Sequence, residues 1–374
     1  MKKYIALILA VCLVFPFVPK AEALDISAKA AIVVNAATGE IIYSENADLK
    51  LPMASTTKIM TALLLCENAD LDEVVTTTKE MVTVEGSSMG LLEGDKVSYK
   101  ALLYGMMLPS GNDAATTTAI ALGGSLEEFA LLMNKKAREL SMDNTNFVTP
   151  SGLDAENHYS TAEDMAKLAV YAMKNPIFRE AVGTKSIEVE YGNPPYPRQL
   201  SGHNKILDIY DGGIGIKTGY TSKTGKCLVS AASRNGVEVI AVTLGDSNTW
   251  SHHTELLNFG FSNINSVTYS LPESGERLRV ISGKTSTARL TCEDFTIGLT
   301  PDEQERVEYK ITLPEFCFAP LKKGEMVGKI DYYIDGKLLK SLPLTLAESV
   351  PCDDIPQPNF LDTFVFNIKS LLIN

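Results

Sequence analysis

The order in which strand and helix periodicities occur constrains this chain more than any other feature. Residues 30–34 and 41–44 read as two strands joined by the turn Asn35-Ala36-Ala37-Thr38-Gly39. Helical spacing then takes over. It begins after Pro52 with Ile59, Leu63 and Cys66 at i, i+4, i+7, and continues over residues 99–108, 113–122, 126–140 and 162–173. Strands return at 213–220, 226–233 and 237–244, the last two linked by Arg234-Asn235-Gly236, a hairpin turn. A parallel βαβ fold would alternate throughout. Segregated strands and helices instead predict an α+β domain, an antiparallel sheet with a helical block, over residues 24–268.

Three further segments flank it. From 271 to 350, short alternating runs such as Leu278-Arg279-Val280-Ile281 are separated by Gly-containing turns, which predicts a small all-β domain. Residues 351–374 open with Pro351, Pro356 and Pro358. They then place Leu361, Phe364, Val365, Ile368, Leu371 and Leu372 on one helical face, opposite Asp362, Thr363, Asn367, Lys369 and Ser370. Such a helix lies in a membrane surface or docks on its own protein. Residues 1–23 have the form of a signal peptide: Lys2 and Lys3, the apolar run 5–15 stopped by Pro16, then Ala21-Glu22-Ala23. At about 1.5 Å per residue that run is too short to span a bilayer. The expected setting is therefore outside the cytoplasm.

Charge removes one class of partner. The net charge is −12, and losing the leader's three Lys and one Glu leaves about −14, a surface that repels nucleic acid. Five cysteines follow the leader: Cys66, Cys227, Cys292, Cys317 and Cys352. An odd number leaves at least one unpaired, and their scatter matches neither a zinc site nor a disulfide framework. Cys66 and Cys227 sit in apolar runs and read as core thiols, whereas a Cys292–Cys317 pair stays open. His158, His203, His252 and His253 form no metal-ligand spacing, so no metal or cofactor is expected.

The chemistry lies in three short motifs. Ser55-Thr56-Thr57-Lys58 puts a hydroxyl and an amine three apart, on one face of a helix. A serine needs an adjacent base, and a lysine serves if burial or a neighbouring cation holds it neutral. Pro52 sets Ser55 near a helix N-terminus, where the dipole favours a developing alkoxide. Ser110-Gly111-Asn112 falls between two helices after Pro109. Two other Ser-x-Asn copies, at Ser44 and Ser233, read as hairpin connections. Lys217-Thr218-Gly219 follows a Gly-rich strand, whereas Lys223-Thr224-Gly225 reads as the next turn, with Lys223 solvated. Only one choice of copies gives Ser-x-x-Lys, Ser-x-Asn and Lys-Thr-Gly in this order on helix, interhelical loop and strand.

With this motif set the chain resembles the low-molecular-weight penicillin-binding proteins, the serine-type D-alanyl-D-alanine carboxypeptidases. Thr149-Pro150-Ser151-Gly152-Leu153, the stretch from His158 to Ala166 and Gly215-Ile216-Lys217-Thr218-Gly219-Tyr220-Thr221 resemble that family's further signatures, and the β domain and tail match in order. The resemblance implies a β-lactamase/transpeptidase-like catalytic domain that removes the terminal D-alanine from peptidoglycan stem peptides. Ser55 would be the nucleophile, Lys58 its base and Ser110 the proton carrier to the leaving amine. Asn112 would orient Lys58 and the substrate amide, Lys217 and Thr218 would hold the terminal carboxylate, and Gly219 would belong to the same strand site. The N–H groups of Ser55 and Tyr220 would form an oxyanion hole.

His158 reads as structural and His203 as a possible substrate contact. The deacylating Glu-x-x-x-Asn loop of a β-lactamase is missing, since Glu156 is followed four on by Ser160 and Glu163 by Lys167. β-Lactam antibiotics are thus expected to form a lasting adduct. Two alternatives stand beside the carboxypeptidase: an endopeptidase cutting D-alanyl cross-links, and a non-hydrolytic penicillin-binding or wall-binding protein. Signal, site and tail together place the protein at the outer face of the cytoplasmic membrane or in the wall.

Overall fold

A computed structural model describes residues 24–273 and 277–353. The leader expected over 1–23 and the helical part of the tail expected over 351–374 lie outside the described residues.

In chain order the first region comprises strands β1 (Ala30–Asn35) and β2 (Ile41–Glu45), a 3-10 turn (Ala54–Thr57), helix α1 (Lys58–Asn68), β3 (Val74–Thr76), α2 (Lys79–Val82) and β4 (Lys96–Ser98). Helices α3 (Tyr99–Met107), α4 (Asn112–Gly123), α5 (Leu126–Glu139), α6 (Ala162–Ala172) and α7 (Pro176–Gly183) form the helical block. Next come β5 (Ser186–Gly192), β6 (Pro195–Ser201), α8 (Ile206–Ile209), β7 (Gly213–Thr221), β8 (Gly225–Arg234), β9 (Val237–Asp246) and α9 (Thr249–Asn263).

The strand pair and the strand trio join into one antiparallel sheet of order β2-β1-β9-β8-β7. Strand β1 lies beside β9, with Ile32 opposite Val242. Every residue of β1 is buried, because both faces of the sheet are covered and alternate side chains go to opposite cores. Ile32 and Val34, with Val229, Val242 and Leu244, face the helical block. Ala31 and Val33, with Leu228 and Val239, face Leu256 and Leu257 of α9. Each such aliphatic side chain contributes about 1.5–3 kcal/mol. Helix α9 and the lateral sheet β3-β4-β5-β6 were not legible as periodic runs. The stretch after Pro52 is tighter than an α-helix until Lys58.

The second region contains β10 (Asn265–Tyr269), β11 (Arg277–Ile281), β12 (Thr287–Thr291), β13 (Phe295–Leu299), the one-turn helix α10 (Pro301–Glu305), β14 (Val307–Thr312), β15 (Cys317–Phe318), β16 (Met326–Ile334) and β17 (Lys337–Leu346). Six strands form one sheet, β14-β16-β17-β12-β11-β15, and β10 pairs with β13. Tyr269, Phe295 and Tyr332 stack between these layers with ring centroids 4.9–5.4 Å apart. The regions meet where the buried Asn35 amide donates to Gly298 O and Glu303 Oε2, both at 2.9 Å. Arg306 adds a bridge between Glu40, at 3.2 Å, and Asp335.

Two local expectations change. Ser44-Glu45-Asn46 is not a hairpin connection: it is the end of β2, where Asn46 turns the chain away at φ 49. Cys292 and Cys317 do not pair, and all five described cysteines are free. Cys66 packs against the core and Cys227 lies within it. Burial pushes both thiols up to about 12, as expected of inert core cysteines.

Candidate active site

Helix α1 begins under the edge strand β7, and the Ser-x-x-Lys motif spans that junction. Lys58 Nζ lies 2.9 Å from Ser55 Oγ, 2.7 Å from Asn112 Oδ1 and 2.8 Å from the backbone oxygen of Ser151. Lys58 has no exposed surface, whereas Ser55 is partly exposed and lines a cleft of about 350 Å³.

Asn112 Oδ1 and Ser151 O can only accept, so they hold two of the Lys58 N–H bonds. As an ammonium Lys58 donates its third N–H to Ser55 Oγ; in the neutral amine the lone pair takes that place and accepts from the Ser55 hydroxyl. Burial, followed by the charge of Lys217, holds the Lys58 amine well below its ordinary range, with Asp113 opposing. Desolvation always disfavours the charged form of a lysine.

Lys217 is also buried, with its Nζ donating to Thr218 O at 3.1 Å. Burial brings it down to about 7. Thr218, Gly219 and Tyr220 continue along β7 and line the cleft opposite Ser110. Gly219 has a steric reason: a Cβ there would stand 3.0 Å from Ser55 N and 3.1 Å from Thr56 N, and so would push the strand off the Ser55 turn.

Each motif carries backbone strain. Ala54, Ser110 and Ile216 have φ of 47°, 63° and 112°. Such conformations cost about 1–3 kcal/mol each and persist only where surrounding structure imposes them. They flank Ser55 and Lys217 and lie within the Ser110 loop, the elements that surround Lys58.

Several participants lie outside the three motifs and had no contact assigned to them. The segment from Val148 to His158 docks on α1 at three points: Thr61 Oγ1 donates to Pro150 O at 2.6 Å, Lys58 to Ser151 O, and Thr57 Oγ1 meets His158 Nε2 at 2.9 Å. His158 Nδ1 accepts from Val148 N and Thr149 N, so Nε2 carries the proton. Burial lowers this ring to about 4, and it serves as a neutral clamp. Gly152 has φ +83, and a Cβ on it would lie 1.9 Å from Ala54 O. The Ser-Gly pair in the sequence was the available signal for this close approach. His203 lines the cleft, as do Trp250 and Thr249 from the start of α9. Lys223 is an exposed turn residue.

Asp113 is buried and holds the opposite wall. Its carboxylate accepts from Met89 N, Ala114 N, Ser88 Oγ, Gly90 N and Leu91 N at 2.6–3.0 Å. Asn112 ties the same loop through Glu85 O and Ser87 O. Asp113→Asn turns one acceptor towards donors as a donor itself. It should cost about 3 kcal/mol of stability and slow acylation by a penicillin, read by thermal unfolding and by labelling kinetics.

Comparison with known proteins places the chain in a family. Residues 18–248 match the family described as D-alanyl-D-alanine carboxypeptidase. The chain belongs to that family. Residues 268–351 match the C-terminal domain of penicillin-binding protein 5. Among relatives, the D-alanyl-D-alanine carboxypeptidase DacF of Bacillus subtilis is 31% identical over 370 residues, covering 94% of this chain and 95% of DacF. DacC of Escherichia coli is 34% identical over 352 residues, covering 88% and 86%. Among solved structures, penicillin binding protein 5 from Haemophilus influenzae superposes with a TM-score of 0.63 at 26% identity, covering 89% of this chain and all of that one. A Streptomyces DD-transpeptidase gives 0.61 at 36% identity, covering 64% and 98%. Membership in the carboxypeptidase family thus extends to both described regions.

Proposed function

We propose that this chain is a serine-type D-alanyl-D-alanine carboxypeptidase that trims peptidoglycan stem peptides outside the cytoplasm. The observation that carries it is the Lys58 amine, buried and held by two carbonyl acceptors with Ser55 Oγ 2.9 Å away, so that its neutral form turns a lone pair on that hydroxyl. Ser55 gives its proton to Lys58 as Oγ attacks the carbonyl between the two D-alanines. The oxyanion is held by the N–H groups of Ser55 and Tyr220. Ser110 passes a proton to the leaving amine, the terminal D-alanine departs, and water cleaves the ester. Lys217 and Thr218 hold the terminal carboxylate, whose charge keeps Lys217 protonated. Gly219 gives the strand its close approach, and Asn112 fixes Lys58 and the substrate amide. A β-lactam carbonyl would enter the same attack and leave a lasting acyl group.

Residues 24–268 form the catalytic domain in this reading, 271–350 the β domain, and 351–374 a linker and tail helix that touches the membrane surface. The decisive measurement is D-alanine release from a synthetic peptide ending in D-Ala-D-Ala. Release supports the carboxypeptidase, and its absence in folded protein would move the reading to a cross-link endopeptidase. Deleting residues 359–374 should weaken membrane attachment and leave turnover of the soluble peptide unchanged. Full retention on membranes would reject the tail as an anchor.

A further inference from the structure

The β domain has an apolar corner that neither the active site nor the interface between the two regions uses. Phe318 is 63% exposed and Phe316 37%, and Met326, 69% exposed, lines a groove with Leu313 and Pro314 just before them in the chain. The two phenylalanine rings meet edge to face with centroids 5.4 Å apart. Cys317 between them points inward, so the pair sits at alternate positions of one extended segment. Other rings of the same domain, Tyr269, Phe295 and Tyr332, stack against one another.

Position within the domain says what covers this corner. The turn of the β16–β17 hairpin is the end that meets the catalytic region, through Asp335, Arg306 and Glu40. Met326 starts the same hairpin at its other end. Nine residues of strand therefore put Met326 roughly 30 Å away from that contact. The described chain leaves the fold at this corner too. Phe318 pairs with Ile281, and the next two β-contacts of the same segment are Asp353 N to Ser282 O at 2.9 Å and Lys284 N to Pro351 O at 3.0 Å. Phe318 and Asp353 are thus within about two strand spacings, roughly 10 Å. The 21 residues that follow carry the apolar stripe from Leu361 to Leu372.

We infer that Phe316, Phe318 and Met326 form a second membrane contact, inserting into the lipid surface beside the tail. Exposed Lys322 and Lys323 flank the corner, with stems long enough to reach headgroups while the rings enter the apolar layer. Glu315, Glu325 and Glu348 lie near them and are not buried, so ring insertion rather than net charge carries the contact. A tail whose polar face holds one Asp and one Lys is a weak anchor alone, and stable attachment takes two signals.

The test uses the mature chain, residues 24–374, with phosphatidylethanolamine–phosphatidylglycerol vesicles. Phe316→Ser with Phe318→Ser should weaken vesicle partition about tenfold or more. Leu338→Ser, 57% exposed at the hairpin turn, should leave it unchanged. Phe318→Trp should show a blue-shifted emission when vesicles are added, an arm that holds if the double variant folds poorly. In the chain lacking 359–374, the residual partition should vanish with the double Ser change. Unchanged partition of the double variant, an equal loss in Leu338→Ser, or no emission shift would each overturn the inference. So would loss of self-association in sedimentation without loss of vesicle binding, which would assign the corner to a second copy of the chain. D-alanine release from a soluble peptide, assayed in parallel, reports on the carboxypeptidase reading independently of these outcomes.

Discussion

Ser55→Ala is expected to lower D-alanine release by roughly four to six orders of magnitude and to abolish covalent labelling by a fluorescent penicillin. Ser55 is the hydroxyl that both faces the cleft and touches the Lys58 amine. Removing Oγ deletes the atom that forms the ester, and no arrangement of the remaining groups replaces it. The fold should be indifferent, because the side chain is small and partly exposed and its hydrogen bond is to Lys58. A mutant with unchanged thermal unfolding and no label would establish the nucleophile. Release that survives in Ser55→Ala would show that the three motifs have been assigned the wrong chemistry, whatever their geometry.

The second large effect concerns the base. Lys58→Gln keeps an N–H donor near Asn112 Oδ1 and Ser151 O but offers no basic lone pair. Loss of a general base typically costs about 10²–10⁴ in rate, and acylation by penicillin should fall with turnover because both need the same proton removed. The wild-type pH profile carries the complementary sign. Lys58 is lowered by burial and by Lys217, so it is neutral over a range where a solvated lysine is charged. Acidifying protonates it, and kcat/KM should fall as pH drops through its depressed pKa. Raising the pH deprotonates Lys217, itself brought down to about 7 by burial, which under the proposed function weakens its hold on the substrate carboxylate. The active form has one proton on the pair, carried by Lys217, and kcat/KM should therefore be bell-shaped. In Lys58→Gln the acid limb should disappear. An acid limb that persists unchanged would place the essential base elsewhere.

Much of the site was legible because its chemistry depends on short-range spacing. Ser55 and Lys58 touch because three residues make about one turn, whether α or 3-10. The turn residues of Ser110-Gly111-Asn112 and the small residues of the Lys217 strand announced loop and close approach. What spacing cannot encode is the partner from elsewhere in the chain. The Ser151 carbonyl is a backbone atom, so no side chain marks it. Its position depends on Gly152 passing under Ala54 and on His158 clamping Thr57. Asp113 belongs to none of the three motifs, and only the fold brings five donors onto it.

The same division holds for the architecture. By itself the sequence determined that strands and helices segregate, that a β-rich region follows, and which copy of each motif stands in the right kind of element. These properties follow from local periodicity and turn chemistry, which need no distant partner. Only the tertiary structure decided that β1 pairs with β9, some two hundred residues later, and that α9 covers the second face of the sheet. Strand runs buried on both faces lose the alternation that would indicate which neighbour they take. The lowering of Lys58 was likewise decided there, because burial and the Lys217 charge come from other parts of the chain.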